Sequence, residues 1–564
     1  MINKKIAMVD NIPIEIEGEK NVLQVIRKAG IELPTFCYHS ELSIHGACRM
    51  CVFEDERGNI DAACSAEPRA GMVVKTNTLR LRKYRKMIME LLLTNHFRDC
   101  TFCENHGNCK LQDFATFFDI DPRFPATNQE PIVDDSSPCI GKDQSKCILC
   151  GDCVRMCNEI QSVGAIDFAH RGSKMTISTA FNEPIAESNC VGCGQCAVVC
   201  PTGAIVARND TTKVWKALGD SNNKVIVQIA PAVRVAIGEK LGMAEGENAM
   251  GKMVAALRRM GAAEIHDTST AADLTVVEEA NELLERVTSG KNLPLITSCC
   301  PAWVKFCEDN YPEMLPNVST CRSPMQMMAS VIKEQNASSE KQIVQVAIMP
   351  CTAKKYEAQR EEFKTDGVPN VNYVLTTDEL IQMIREAGII FSEVESDSID
   401  ASFGEISGAG VIFGVTGGVT EAALRYLVPD KSTTSLKLIA MEGIRGLEGV
   451  KETTIMLGER EVKIAVVSGL GNARKLIEKV KQGEKYDFIE VMACPSGCIN
   501  GAGQPKAASA ETKRSRSEGL YEADRSCGIR RAEESSVVAK IYGDIIKGRE
   551  HELLHTSHTG EKHD

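Results

Sequence analysis

The chain contains no apolar run long enough to span a bilayer. Its first residues, MINKKIAMVDNIPIEIEGEK, carry two adjacent lysines, Lys4 and Lys5, but no apolar signal core follows them. A cytoplasmic location is the resulting expectation. Basic charge is also in deficit: Lys plus Arg number 65 against 77 Asp plus Glu, a formal net charge of −12. Such an acidic balance argues against nucleic acid as the main partner. Aromatic residues make up only 5% of the chain, with two tryptophans, and say little. What the chain has in plenty is cysteine, 24 in 564 residues. A chain of this length is expected to form several domains. Clustered thiols in a reducing compartment read as metal ligands rather than disulfides.

Residues 1–80 read as a small β-rich domain, with alternation over 14–16 and helical spacing over 22–28. It holds Cys37, Cys48, Cys51 and Cys64. Four thiolates around small residues such as Ser43, Gly46 and Ala47 suit a [2Fe–2S] cluster, with zinc as the alternative. A helix is expected over 79–93. Behind it His96, Cys100, Cys103 and Cys109 form a set of one histidine and three cysteines that fits either zinc or a [4Fe–4S] cluster. Residues 81–127 bound this second domain.

The third group, within 138–209, is more specific. Cys147, Cys150, Cys153 and Cys157 follow C-x2-C-x2-C-x3-C, and Cys190, Cys193, Cys196 and Cys200 repeat it before Pro201. This is the two-cluster bacterial ferredoxin spacing, in which the fourth cysteine of each run crosses over. Cys200 is therefore expected to join Cys147, Cys150 and Cys153, and Cys157 to join Cys190, Cys193 and Cys196. A row of clusters moves electrons, so something downstream must consume or supply them.

From residue 210 to 564, apolar strands alternate with helical stretches, an α/β pattern. Strands are expected over 224–229, 263–267, 293–297, 343–349, 371–375, 463–468 and 488–492. Helices are expected over 274–287, 324–334, 377–387 and 534–546. Three strands run into cysteine: PLITSCC, VQVAIMPC and FIEVMACPSGC. Ligands of open α/β sheets sit beyond the carboxyl ends of strands. Cys300, Cys351, Cys494 and Cys498 are thus expected to converge on a further [4Fe–4S] cluster. The alternative, buried structural cysteines, sits poorly with Pro301, Pro350 and the glycine-rich run 497–503 beside them. Cys299 is left over, a thiol placed to carry a proton. Glu279, Glu282 and Arg286 share one helical face. Residue types alone favour a solvated charged stripe there over a buried acid chain.

TSCCPAW (297–303), MPCTAKKYE (349–357) and EVMACPSGCINGAGQP (490–505) resemble the three signature motifs of [FeFe]-hydrogenases. The order of accessory cluster motifs resembles the long clostridial type. That resemblance covers essentially the whole chain. It implies a multidomain α+β and α/β fold: a ferredoxin-like β-grasp domain, a domain with one histidine and three cysteine ligands, a two-[4Fe–4S] ferredoxin domain and a two-lobed catalytic domain. It implies a reversible reaction, 2 H⁺ + 2 e⁻ to H2, at a six-iron H-cluster. This is a [4Fe–4S] cube joined through Cys498 to a two-iron unit bearing CO, cyanide and azadithiolate. One [2Fe–2S] and three accessory [4Fe–4S] clusters would serve it, with ferredoxin as electron partner, maturation proteins installing the two-iron unit, and a monomeric chain.

Carried over by motif, Cys299 passes protons onward through Glu279, Ser319, Glu282 and Arg286, which reverses the solvated reading of the stripe. Lys354 bonds one cyanide, and Pro231 with the Ala230–Ala232 backbone approaches the other. Met349, Met492 and Phe413 wall the two-iron pocket beside Pro350. Met325, Ala232 and Ala502 depart from the family's frequent Gln, Ser and Gly. Cys139, Cys307, Cys321 and Cys527 read as structural or incidental, residues 506–531 as a surface loop, and HELLHTSHTGEKHD as a frayed end. Three rival readings are a hydrogen sensor, a non-catalytic electron-transfer subunit and a cytosolic iron–sulfur assembly factor. The last two would lack, respectively, the three later cysteine motifs, and the proton relay with the [2Fe–2S] domain.

Overall fold

A computed structural model describes residues 5–558, except 123, 126, 128, 129, 431, 442, 458 and 459. The end of the histidine-bearing tail, 559–564, lies outside the described residues. The chain divides into two compact units. One comprises Met1–Ile160, Gly164–Ser188 and Gln195–Val206; the other comprises Gln161–Val163, Asn189–Gly194 and Ala207–Asp564. Among the described residues no helix is long and apolar enough to cross a membrane.

In the first unit, Ile6–Val9 pairs antiparallel with Ile12–Glu15 and parallel with Val73–Val74. Val22–Lys28 is the expected helix, capped by Asn21, whose Oδ1 accepts from Gln24 N–H. Its buried face, Val22, Val25 and Ile26, packs with Ala7, Val9, Phe53 and Val74. The helix Leu79–Asn95 buries Leu81, Arg85, Met89 and Leu93, a four-residue period that keeps one face inward. Arg85 is the surprise on that face. Its guanidinium donates to the carbonyls of Met50, Val52 and Thr76, which satisfies its charge. This ties the helix to the loop that carries Cys48 and Cys51.

The second unit is built on two four-stranded sheets. One is wholly parallel, in the order Glu264–Asp267, Asn223–Ile229, Gln342–Met349, Tyr373–Thr376. Register places Ile229 opposite Ile348 and Met349 opposite Thr376. The other runs Leu295–Ile296, Phe488–Met492, Arg460–Ser468, Val450–Leu457. Its first three strands are parallel and the last returns antiparallel. The strands Asn223–Ile229 and Gln342–Met349 are near-continuous apolar runs because both their faces are covered. Val450–Leu457 alternates exposed and partly buried residues as an edge strand should, and that polar alternation hid it in the sequence. The strand expected over 293–297 is only Leu295–Ile296.

The region 506–531 is not a surface loop. Ser509 caps a helix, Ala510–Ser526, that buries Thr512, Arg516, Leu520 and Asp524. Its inward face is charged, which is why hydropathy missed it. Arg516 pairs with Glu239, and Asp524 with Arg425 and Arg530. Such buried pairs are tolerable only when mutually bonded; breaking one typically costs about 3–5 kcal/mol. The closing helix expected over 534–546 is shorter and wider-wound, an α-turn Ser536–Lys540 followed by a π segment Ile541–Ile546. Nor is the tail frayed through 558. Glu550–Leu554 is a helix whose Leu553 and Leu554 are buried beside Met327, Met328 and Val331.

Candidate active site and cluster-binding cysteines

None of the described cysteines forms a disulfide. The four N-terminal thiols meet as two pairs, Cys37 with Cys48 and Cys51 with Cys64. Among the described residues no three His, Cys, Asp or Glu side chains gather closely enough to hold a single ion. Tetrahedral zinc, with Zn–S near 2.3 Å, requires sulfurs about 3.8 Å apart. Two thiol pairs, one for each iron, fit a [2Fe–2S] core.

His96 is buried at the end of its helix, and its Nδ1–H donates to the Lys146 carbonyl at 3.0 Å. That bond fixes the tautomer and leaves the Nε2 lone pair for a metal. Burial pushes its pKa down to about 4, so the ring is neutral. Cys100 is exposed, Cys103 half-buried and Cys109 buried, at the start of the helix Lys110–Phe117.

Cys147, Cys150, Cys153 and Cys200 line one cavity of about 400 Å³ with Thr202 and Pro201. This is the crossover grouping expected from the repeated spacing. Cys157 and Cys196 belong to the first unit, Cys190 and Cys193 to the second.

The strand ends of the second unit enclose a larger cavity of about 850 Å³. Cys300, Cys351, Cys494 and Cys498 all line it, together with Cys299. Each arrives for a local reason. Cys300 is the cap of the helix Pro301–Asn310, with proline favoured at the first turn. Its Sγ accepts from the Ala493 N–H at 3.4 Å. Cys351 follows the strand Gln342–Met349 through Pro350. Cys494 and Cys498 flank a turn whose Gly497 sits at φ +84°, a conformation that favours glycine. A Cβ at Gly501 would lie 2.0 Å from the Pro350 carbonyl oxygen, so only glycine lets these two segments close the wall. Four thiols around a largely apolar cavity form a donor set that fits an iron–sulfur cube.

Ala230, Pro231, Ala232, Met325, Met349, Pro350, Lys354, Phe413 and Met492 also line this cavity. Met349, Met492 and Phe413 are buried and make its wall apolar. Lys354 is the wall's cation. Its Nζ donates to Glu357 at 2.8 Å and to the Cys299 carbonyl at 3.1 Å. Burial works against its charge, but Glu357 outweighs that and holds the ammonium above its ordinary pKa. Glu357 went unnoticed in the sequence, although an acid three residues past a lysine on a helix is the signal for such a pair. Cys193, from the repeated ferredoxin run, lines the same cavity, which spacing alone could not reveal.

The charged stripe is not solvated. Glu279 is 1% exposed, and neither of its carboxyl oxygens makes a hydrogen bond. Burial, and then the negative charge of Glu282, push its pKa up to about 8. Glu282 accepts from the Ser319 hydroxyl at 2.6 Å and from Arg286 Nη2 at 2.5 Å. Arg286 also donates to the carbonyls of Asn292, Pro316 and Asn317 near the surface. The Cys299 thiol is pushed well up by burial and then by Glu279, which favours its protonated form.

Of the unassigned cysteines, Cys139 and Cys307 are buried in the fold. Cys527 Sγ–H donates to the Ala523 carbonyl. Cys321 is buried; its N–H donates to Ser319 Oγ at 3.2 Å and its Sγ–H to Glu282 Oε2 at 3.9 Å.

Five family models match in series along the chain. They are a 2Fe-2S iron-sulfur cluster binding domain (6–79), an NADH-ubiquinone oxidoreductase-G iron-sulfur binding region (85–123) and a 4Fe-4S dicluster domain (146–204). The C-terminal domain of the iron only hydrogenase large subunit (223–502) and the iron hydrogenase small subunit (510–561) follow. The chain is 40% identical to the NADP-reducing hydrogenase subunit HndD of Solidesulfovibrio fructosivorans, over 97% of each chain. It is 34% identical to iron hydrogenase 1 of Clostridium pasteurianum, over 98% of this chain and 99% of that one. A solved [FeFe]-hydrogenase, from a study of stepwise H-cluster assembly, superposes with a TM-score of 0.53 at 36% identity. That match covers 62% of this chain and 98% of its own. With its hydrogenase domain preceded by 2Fe-2S and 4Fe-4S domains, the chain belongs to the [FeFe]-hydrogenases, as a long, multi-cluster member.

Proposed function

We propose that this enzyme interconverts protons, electrons and H2 at an H-cluster that Cys300, Cys351, Cys494 and Cys498 would hold, Cys498 serving both of its parts. One observation carries the reading: thiols from three distant strand ends line a single apolar cavity together with Cys299 and Lys354. When bound, the two-iron unit supplies the open metal site for the chemistry. The chain's own residues do the rest. Lys354 and the Ala230–Ala232 backbone would hold the unit's cyanides, an ammonium being a strong charge-assisted donor. Met349, Met492 and Phe413 keep water from the cavity. Cys299 holds a proton at Sγ and exchanges it with Glu279; the Ser319 hydroxyl, Glu282 and Arg286 continue the route outward.

Electrons travel through one [2Fe–2S] and three accessory [4Fe–4S] clusters in the domains bounded at 1–80, 81–127 and 138–209, ahead of the catalytic domain 210–564. Matured, anaerobically purified protein should evolve H2 with a strong reductant and show CO and cyanide stretches in the infrared. Absence of both would end the proposal.

For the electron partner, a ferredoxin with the chain acting alone as a monomer is the first reading. The 40% identity to a relative named as a subunit of an NADP-reducing hydrogenase favours a second, electron exchange with further subunits that reduce NADP. Purified chain under H2 that reduces ferredoxin but not NADP supports the first. NADP reduction only on adding co-purifying subunits supports the second.

Two wall residues tune the site on this reading. Met325 is buried in the wall, and Ala232 lies in it with its carbonyl held by Gln504 Nε2 at 2.8 Å. Met325→Gln with Ala232→Ser adds polar contacts near the cluster. It is expected to shift the cyanide stretching bands and the ratio of H2 oxidation to evolution without loss of iron. Unchanged bands and an unchanged ratio would remove both residues from the tuning of the site.

A further inference from the structure

The route outward rests on one short loop, Val318–Arg322, which is bonded on two sides. On one side Val318 bridges to Ile296, and Ser319 N–H donates to the Ile296 carbonyl at 2.7 Å. The Ser298 hydroxyl donates to the Cys321 carbonyl at 2.6 Å. On the other side lies the C-terminal segment Leu554–His558. Cys321 and His555 form an antiparallel bridge; Arg322 N–H donates to the Leu554 carbonyl and Thr556 N–H to the Thr320 carbonyl, each at 2.7 Å. His558 Nε2–H donates to the Ser319 carbonyl at 2.9 Å. His555 Nε2–H donates to Glu278 at 3.1 Å, while its Nδ1 accepts from the Thr320 hydroxyl at 2.9 Å. Buried Leu553 and Leu554 root the segment.

These bonds bear on proton geometry. Ser319 Oγ accepts from Cys321 N–H and donates to Glu282. Its direction therefore depends on the extended backbone from 319 to 322. Three main-chain groups of that stretch, the carbonyls of Ser319 and Thr320 and the N–H of Arg322, are satisfied by the C-terminal segment. Without it they turn to water and the loop is held from the Ile296–Ser298 side alone.

We infer that Leu554–His558 is a strap that positions the Ser319 hydroxyl toward Glu282, with His558 and Thr556 as positioning residues for proton passage. The inference rests on the proton route proposed above. Misplacing a transfer group by about 1 Å can cost on the order of 10²-fold in rate.

The test uses full-length protein carrying all its clusters. His558→Leu and, independently, Thr556→Pro are each expected to slow H2 evolution about tenfold with unchanged iron content and infrared bands. Each should raise the solvent deuterium isotope effect and speed amide hydrogen exchange at 320–322. His558→Gln, whose amide N–H can reach the same carbonyl, should restore both rate and protection. Parental turnover in both strap variants overturns the inference, whether or not the amides exchange faster. So does slowed turnover with unchanged exchange at 320–322. Should His558→Leu fail to load iron, Thr556→Pro decides by the same readings. Ser319→Ala separates the two ideas. If it turns over at the parental rate, the proton route itself fails. If it is slow while the strap variants are not, only the strap is lost.

Discussion

Cys299→Ser is expected to leave the enzyme fully assembled and nearly inactive. None of the cube's proposed ligands is Cys299, and Lys354 bonds the Cys299 main-chain carbonyl rather than its thiol. A serine therefore keeps that contact and almost the same volume. What changes is acidity. A thiol ordinarily titrates near 8.5; burial and Glu279 raise Cys299 further, yet it remains far more acidic than an aliphatic alcohol in the same place. A positioned proton-transfer group is typically worth about 10²–10⁴-fold in rate. H2 evolution with saturating reductant should fall within that range, while iron content and the CO and cyanide bands stay as in the parent. Near-normal turnover would remove Cys299 from the mechanism.

That thiol was legible because the sequence places it next to a cysteine with a stronger claim on the cluster. The cluster cysteines were legible for a similar reason: ligand spacing is local, and strand ends are marked by apolar runs stopping at cysteine, as at Ile296, Met349 and Met492. The route beyond Cys299 was not legible from residue types. Acids at 279 and 282 with Arg286 have the same i, i+3, i+4 spacing whether a helix face meets water or protein; only the resemblance chose between them. Ser319 reaches Glu282 across 37 residues, a distance no local pattern encodes. Ala510–Ser526 escaped for a related reason. Arg516 and Asp524 are buried because Glu239 and Arg425, far off in the chain, neutralise them. The docking of His555 and His558 likewise depends on backbone bonds to residues 319–322, which composition cannot foretell.

Glu279→Gln should separate stability from catalysis. The carboxyl is buried without hydrogen bonds and held near pH 8 in the fold, against an ordinary 4.5. Between those values the unfolded chain is ionised while the folded chain keeps its proton. The folded state therefore binds more protons, and stability falls as pH rises from about 4.5 to about 8. At about 1.4 kcal/mol for each tenfold step in proton activity, the accumulated penalty is on the order of 5 kcal/mol. Glutamine carries no such penalty. Unfolding midpoints of parent and variant should lie close together near pH 5 and diverge toward pH 8–9, with the variant the more stable. Turnover should move the opposite way, down about 10²–10⁴-fold, since an amide cannot accept and release the proton that Cys299 delivers. Parallel stability curves across that pH range would mean Glu279 is already ionised in the fold. A carboxylate ionised in the fold would still take up a proton from Cys299, so the loss of turnover in Glu279→Gln, and not the stability curves, decides whether Glu279 relays.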